Sequence, residues 1–205
     1  MSYSSFTLED LAEKFKLRFK SVKLFDTSKS VIPSAWLQES LEISQDTLVR
    51  SEKARSEHYV LPILMEMKKK NRDFMTYYSG ETLNADKSLG LTGECDYILA
   101  KKSDSPIVQS PLLAMVEAEK NDFDLGIPQC IAQMIGAKIY NQKHGEKIEE
   151  IYGCVTTGTE WRFMKLRGEY EVLSDTESYF IKELETILGI FQQIIDFYRN
   201  EIGEG

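Results

Sequence analysis

Residues 93–119, GECDYILAKKSDSPIVQSPLLAMVEAE, decide the fold. Two runs within them read as strands, Glu94 to Lys101 and Leu112 to Glu119, because each is largely apolar and a polar, Pro-containing stretch divides them. Strand side chains alternate between faces, so Asp96 shares a side with Glu94, Ile98 and Ala100, and Glu117 shares one with Leu113, Met115 and Glu119. Acids therefore stand among apolar neighbours on two predicted adjacent strands. A carboxylate taken out of water without a partner is costly, and a like charge nearby raises the cost. A hard divalent cation such as Mg²⁺ offsets it, because Mg²⁺ takes oxygen ligands and keeps several waters. The plainer reading is that these acids end strands near solvent, or pair with Lys101, Lys102 or Lys120.

On the N-terminal side, residues Thr47 to Lys70 suit a helix. At 100° per residue Glu57 falls in the apolar sector with Ala54, Leu61, Leu64 and Met65, while Arg55, Tyr59, Glu66 and Lys69 lie roughly opposite. Pro62 predicts a kink or a late first turn. A first strand follows at about Phe74 to Tyr78. On the C-terminal side a helix is predicted from Ile127 to Gln142, with Gln129, Gln133, Gly136 and Tyr140 on one stripe. Next come strands at Ile151–Thr156 and Trp161–Lys165 around Thr157-Gly158-Thr159, then Tyr170–Leu173. A long amphipathic helix from Thr176 to Glu201 ends the reading. Ahead of all this, Thr7 caps a helix reaching Phe15, and Phe15 to Lys20 is either a strand with a cationic face or more helix. A short helix is predicted from Ala35 to Leu41.

Composition narrows the function classes. A chain of 205 residues with 42% hydrophobic residues suits one domain, with a core at about 47–175, an N-terminal extension at 1–46 and a C-terminal helix at 176–205. Cys95, Cys130 and Cys154 are odd in number and widely spaced, which fits neither a disulfide framework nor a CxxC metal site. No signal-like segment or membrane-length apolar run is present, so a cytoplasmic protein without a membrane partner is predicted. The net charge of −8 opposes non-specific attraction to a phosphate backbone. A nucleic-acid partner would need a local basic patch, either Lys14 to Lys23 or Lys68-Lys69-Lys70-Asn71-Arg72; the latter also reads as a solvated helix end. Phosphate-loop, dinucleotide-binding and serine-hydrolase motifs are missing from the sequence.

Four stretches taken together carry a family likeness: SEKARSEHYVLPILMEM (51–67), GECDYILA (93–100), LLAMVEAEKNDFDLGIPQCIAQMIGAKIYN (112–141) and EIYGCVTTGTEWRFMKL (150–166). The chain resembles the PD-(D/E)XK nuclease superfamily, in particular stand-alone relatives of the nuclease domain of type I restriction R subunits. The resemblance implies a restriction-endonuclease-like α/β (α+β) fold: an α-β-β-β-α-β core whose mixed sheet is flanked by helices. It maps the helix acid onto Glu57, the strand aspartate onto Asp96 and the first acid of the (D/E)XK motif onto Glu117. These would hold Mg²⁺ or Mn²⁺, with Gln129, Gln133, Lys120 and Tyr140 as supporting residues. One departure stands out, because the family's lysine position holds Glu119.

The resemblance thus implies a Mg²⁺-dependent nuclease acting on nucleic acid, DNA in the first instance, with Glu119 as a fourth catalytic acid. It would hydrolyse phosphodiester bonds with a metal-activated water. The alternative is a catalytically inactive member of the fold that binds nucleic acid or protein, which Glu119 and the acidic balance favour. A third reading assigns the C-terminal helix to a homodimer; ordinary core packing accounts for its apolar face more simply.

Overall fold

The computed structural model describes residues 2–119 and 123–203. Lys120 is therefore outside the described residues. The chain begins with a 3₁₀ turn at Tyr3–Ser5, helix α1 (Leu8–Phe15), strand β1 (Arg18–Val22) and helix α2 (Ala35–Gln45). A helical stretch follows in three parts: α3 (Glu52–Arg55), a π-helical turn (Ser56–Val60) and α4 (Leu61–Lys70). Then come β2 (Met75–Asp86), β3 (Leu91–Lys101), β4 (Leu112–Ala118), α5 (Phe123–Lys143), β5 (Ile151–Thr156), β6 (Glu160–Arg167), β7 (Glu171–Phe180) and α6 (Leu184–Ile202).

Among the described residues the strands make one seven-stranded mixed sheet in the order β1-β7-β6-β5-β4-β3-β2. The pairs β4·β5 and β1·β7 are parallel and the others antiparallel. Helices lie on both faces, as two neighbouring residues of β5 demonstrate. Gly153 faces α5, where an added Cβ would strike Met134 and Cys130, while Tyr152 packs its ring on Phe197 and Tyr198 of α6. Successive residues of a strand point to opposite sides. β4 is buried along its whole length, the consequence of being central and covered on both faces.

Several elements depart from the sequence reading. The C-terminal helix starts at Leu184 rather than Thr176, because β7 runs on to Phe180 and pairs Ser178, Tyr179 and Phe180 with Arg162, Trp161 and Glu160. Residues 174–178 are Ser-Asp-Thr-Glu-Ser, in which only Glu177 is a good helix former, so the segment offers weak resistance to recruitment by a waiting strand. From Leu184 onward the apolar spacing does its expected work, burying Ile187, Leu188, Phe191, Ile194, Ile195 and Tyr198 at about 1.5–3 kcal/mol each. The N-terminal segment also enters the sheet: Lys16 takes a left-handed conformation that ends α1, and β1 pairs with β7. The sheet thus extends beyond both ends of the 47–175 span predicted as the core. Among the described residues no helix is long and apolar enough to cross a membrane.

The segment before β2 deviates for a local covalent reason. Pro62 has no N–H to give the His58 carbonyl, and the chain there widens into a π turn, with Leu61 donating to Ser56. The Ser44 hydroxyl donates to the released His58 carbonyl at 3.1 Å. The wider turn rotates residues before it relative to those after it, so a uniform 100° phase does not hold. Glu66, predicted opposite the apolar sector, is fully buried, and Met65 within that sector is exposed. Glu66 accepts from the Ser34 amide at 2.9 Å and from its hydroxyl at 2.7 Å, tying α4 to the start of α2.

Candidate functional site

β3 and β4 pair as far as Tyr97 and Val116. One step on, the Asp96 carboxylate takes the place of a ladder acceptor: its Oδ2 receives the Ala118 amide at 2.7 Å. This bond pins Asp96 to the strand that carries Glu117. The Glu117 side chain turns toward α5, where Gln133 Nε2 donates to Oε2 at 2.7 Å and Gln129 Nε2 donates to Oε1. Both carboxylate oxygens are thus held by amides spaced one helical turn apart, the i, i+4 relation visible in the sequence.

Glu117 is only 3% exposed. Burial pushes its pKa well above the ordinary carboxylate range, and the neighbouring Asp96, Glu119 and Glu52 push the same way against the Gln133 bond. Asp96 is pushed up to about 6, chiefly by burial, with Glu52 and Glu94 adding to it and the Ala118 amide opposing. Among the described residues neither carboxylate has an ion-pair partner. The amide of Gln133 must aim its nitrogen at Glu117, and its Oε1 is left buried with no hydrogen-bond partner among the described residues. Buried polar groups are seldom left unmatched, and such exceptions often mark functional sites.

The remaining predicted site residues divide into near and far. Glu119 gives its amide to the Thr156 carbonyl at 2.8 Å, and its side chain fills the space that Gly126 of α5 leaves by having no Cβ. Glu57 lines an open cleft of about 490 Å³ with Asp96, Tyr97, Ala118, Glu52 and Glu94. However, its side chain is 55% exposed and lies 3.8 Å from Lys53. The acid from this helix whose charge acts on both Asp96 and Glu117 is Glu52. Glu52 carries no signal of this in the sequence, where it is an exposed acid in the first turn of α3, an ordinary place for one. Tyr140 lies apart from the carboxylates, donating to the Val108 carbonyl at 3.0 Å and stacking on His144. Gly136 makes room for the Tyr3 ring.

Among the described residues no group of three or more His, Cys, Asp or Glu is arranged to hold a metal ion. The donor set that is present is a carboxylate pair, Asp96 and Glu117. That set still fits Mg²⁺, which commonly binds through one or two carboxylates and completes its shell with waters or substrate oxygens. Asp96 Oδ1 accepts no hydrogen bond among the described residues, so an oxygen of the pair is uncommitted.

Fold and site together define a mixed-sheet α+β protein with two adjacent, uncompensated carboxylates where its central strands part. Protein-family models and curated proteins yield no match to this chain.

Proposed function

We propose that the chain is a Mg²⁺-dependent nuclease of PD-(D/E)XK type that hydrolyses phosphodiester bonds in DNA at the Asp96–Glu117 pair. The observation that carries the reading is Glu117 itself: a carboxyl 3% exposed, beside Asp96, with no ion-pair partner among the described residues. The succession α4-β2-β3-β4-α5-β5 supports it, since it matches the α-β-β-β-α-β order of that superfamily. When bound, Mg²⁺ would supply positive charge against the reacting phosphoryl group and acidify an attacking water.

The chain's own residues have separable tasks. Asp96 and Glu117 would hold the cation. Gln129 and Gln133 keep the Glu117 oxygens from rotating, so the pair is set before substrate arrives. Glu119, in the family's lysine position, would accept a proton from the attacking water. It brings negative charge where the family has positive charge, so the centre should demand more of its cation than a lysine-bearing one does.

That same Glu119 favours a second reading, a catalytically silent module that binds nucleic acid or protein. One assay separates the two. Supercoiled, linear and single-stranded DNA, and RNA, are incubated with Mg²⁺ or Mn²⁺ beside an Asp96→Ala control. The nuclease reading expects cleavage by the parent that the substitution abolishes. Binding without cleavage under every cation selects the silent module, and cleavage that survives Asp96→Ala refutes the assignment of the site.

A further inference from the structure

Arg55 ends α3 and reaches over to the turn after β5, where its Nη1 donates to the Thr157 carbonyl at 3.0 Å. The adjacent carbonyl, that of Thr156, holds the Glu119 amide. The guanidinium is therefore anchored one residue away from the backbone that continues the Glu117 strand. Three residues earlier on the same helix, Glu52 lines the cleft together with Asp96, so this turn of helix borders the acidic centre.

Arg55 is under-used where it sits. Nε is buried with no hydrogen-bond partner, and no acid pairs with the side chain among the described residues. This holds although the chain carries 33 acids against 25 Lys and Arg. An arginine is charged at all ordinary pH values, and a part-buried one normally finds a carboxylate or phosphate for its planar fork. A single neutral carbonyl leaves that charge unmatched. The missing partner is an anion, and the anion that the neighbouring centre would bring is a phosphoryl group.

Resting on the nuclease reading above, we propose that Arg55 contacts a non-bridging phosphate oxygen of the nucleic-acid substrate, supplying the positive charge that residue 119 does not. Its tether to Thr157 occupies Nη1, and Nη2, which makes no hydrogen bond among the described residues and is not buried as Nε is, is the donor left for that oxygen. Arg55→Lys retains charge but loses the fork, and Arg55→Gln retains a donor for Thr157 but loses charge.

The test is fluorescence anisotropy of a short labelled DNA duplex with Ca²⁺ present, titrated across KCl, for the parent, R55Q, R55K and K147Q. Lys147 is exposed in the segment before β5, at the end of that strand away from Thr157. A lost phosphate contact lowers the slope of log affinity against log salt by about 0.9. R55Q is expected to show that change with about tenfold weaker binding, whereas R55K and K147Q keep the parental slope. A purely structural Arg55 would lower the melting temperature and leave the slope alone. An unchanged slope in folded R55Q overturns the proposal while the nuclease reading stands. A parent that binds neither DNA nor RNA with any cation overturns both. Should R55Q not fold, R55K decides: about tenfold weaker binding at parental slope supports the contact, and parental affinity overturns it.

Discussion

Replacing Asp96 by Asn should make the cation-free protein more stable at neutral pH, even though it removes a residue the proposed chemistry needs. The Asp96 carboxyl is pushed up from 3.8 to about 6, first by burial and then by Glu52 and Glu94. Each factor of ten in proton affinity corresponds to about 1.4 kcal/mol, so holding Asp96 ionised costs the fold about 3 kcal/mol at neutral pH. The sign follows from the folded state binding this proton more tightly than the unfolded chain. The associated stability is complete below the ordinary carboxyl pKa and is lost as pH rises toward about 6. Asparagine carries no charge and can still accept the Ala118 amide through its carbonyl oxygen. Urea unfolding with chelator present should therefore find Asp96→Asn more stable by up to about 3 kcal/mol near pH 7.5, with the advantage fading near about pH 4. Added Mg²⁺ should narrow the gap by stabilising only the parent, by about 1.4 kcal/mol at tenfold excess over the dissociation constant. A variant equal to or weaker than the parent at both pH values would refute the claim that Asp96 is an uncompensated charge.

Other residues offer sharper contrasts. Gln133→Ala removes one of the two donors to buried Glu117, and thermal or urea unfolding should register a loss of about 1–3 kcal/mol, together with weaker Mg²⁺ binding by calorimetry. Glu66→Ala should cost a similar about 1–3 kcal/mol by breaking both bonds to Ser34, yet leave Mg²⁺ affinity unchanged because Glu66 joins helices and not the cleft pair. Burial opposes the charged form of Glu66, but the Ser34 bonds and Lys70 outweigh it and lower its pKa, so its contribution is present at neutral pH and declines as pH falls through the acid range. Glu52→Gln should shift the pH midpoint of cation binding downward, because its charge bears on Asp96 and Glu117, whereas Glu57→Gln should shift it less; equal shifts in a pH series of calorimetric titrations would contradict the geometry.

The sequence by itself determined the pieces whose signals are local. Alternation and apolar runs located β3, β4 and β5, capping chemistry at Thr7 opened α1, and apolar spacing from Leu184 onward set the buried face of α6. It also singled out Asp96 and Glu117, since acids embedded in apolar strands betray their cost without coordinates, and Gln129 with Gln133, since i, i+4 spacing survives in any regular helix. The tertiary structure decided matters of partnership. Residues 174–178 became strand because β6 offered them a ladder, and β1 joined the sheet because β7 did the same. Pro62 opened a π turn that moved Glu57 to the rim, leaving Glu52 as the helix acid that acts on the pair. Tyr140, on the glutamine stripe in sequence, was drawn to the Val108 carbonyl instead. Local propensity and periodicity act over a few residues, whereas a ladder partner, an unmatched carbonyl or a neighbouring charge exists only once distant segments have met.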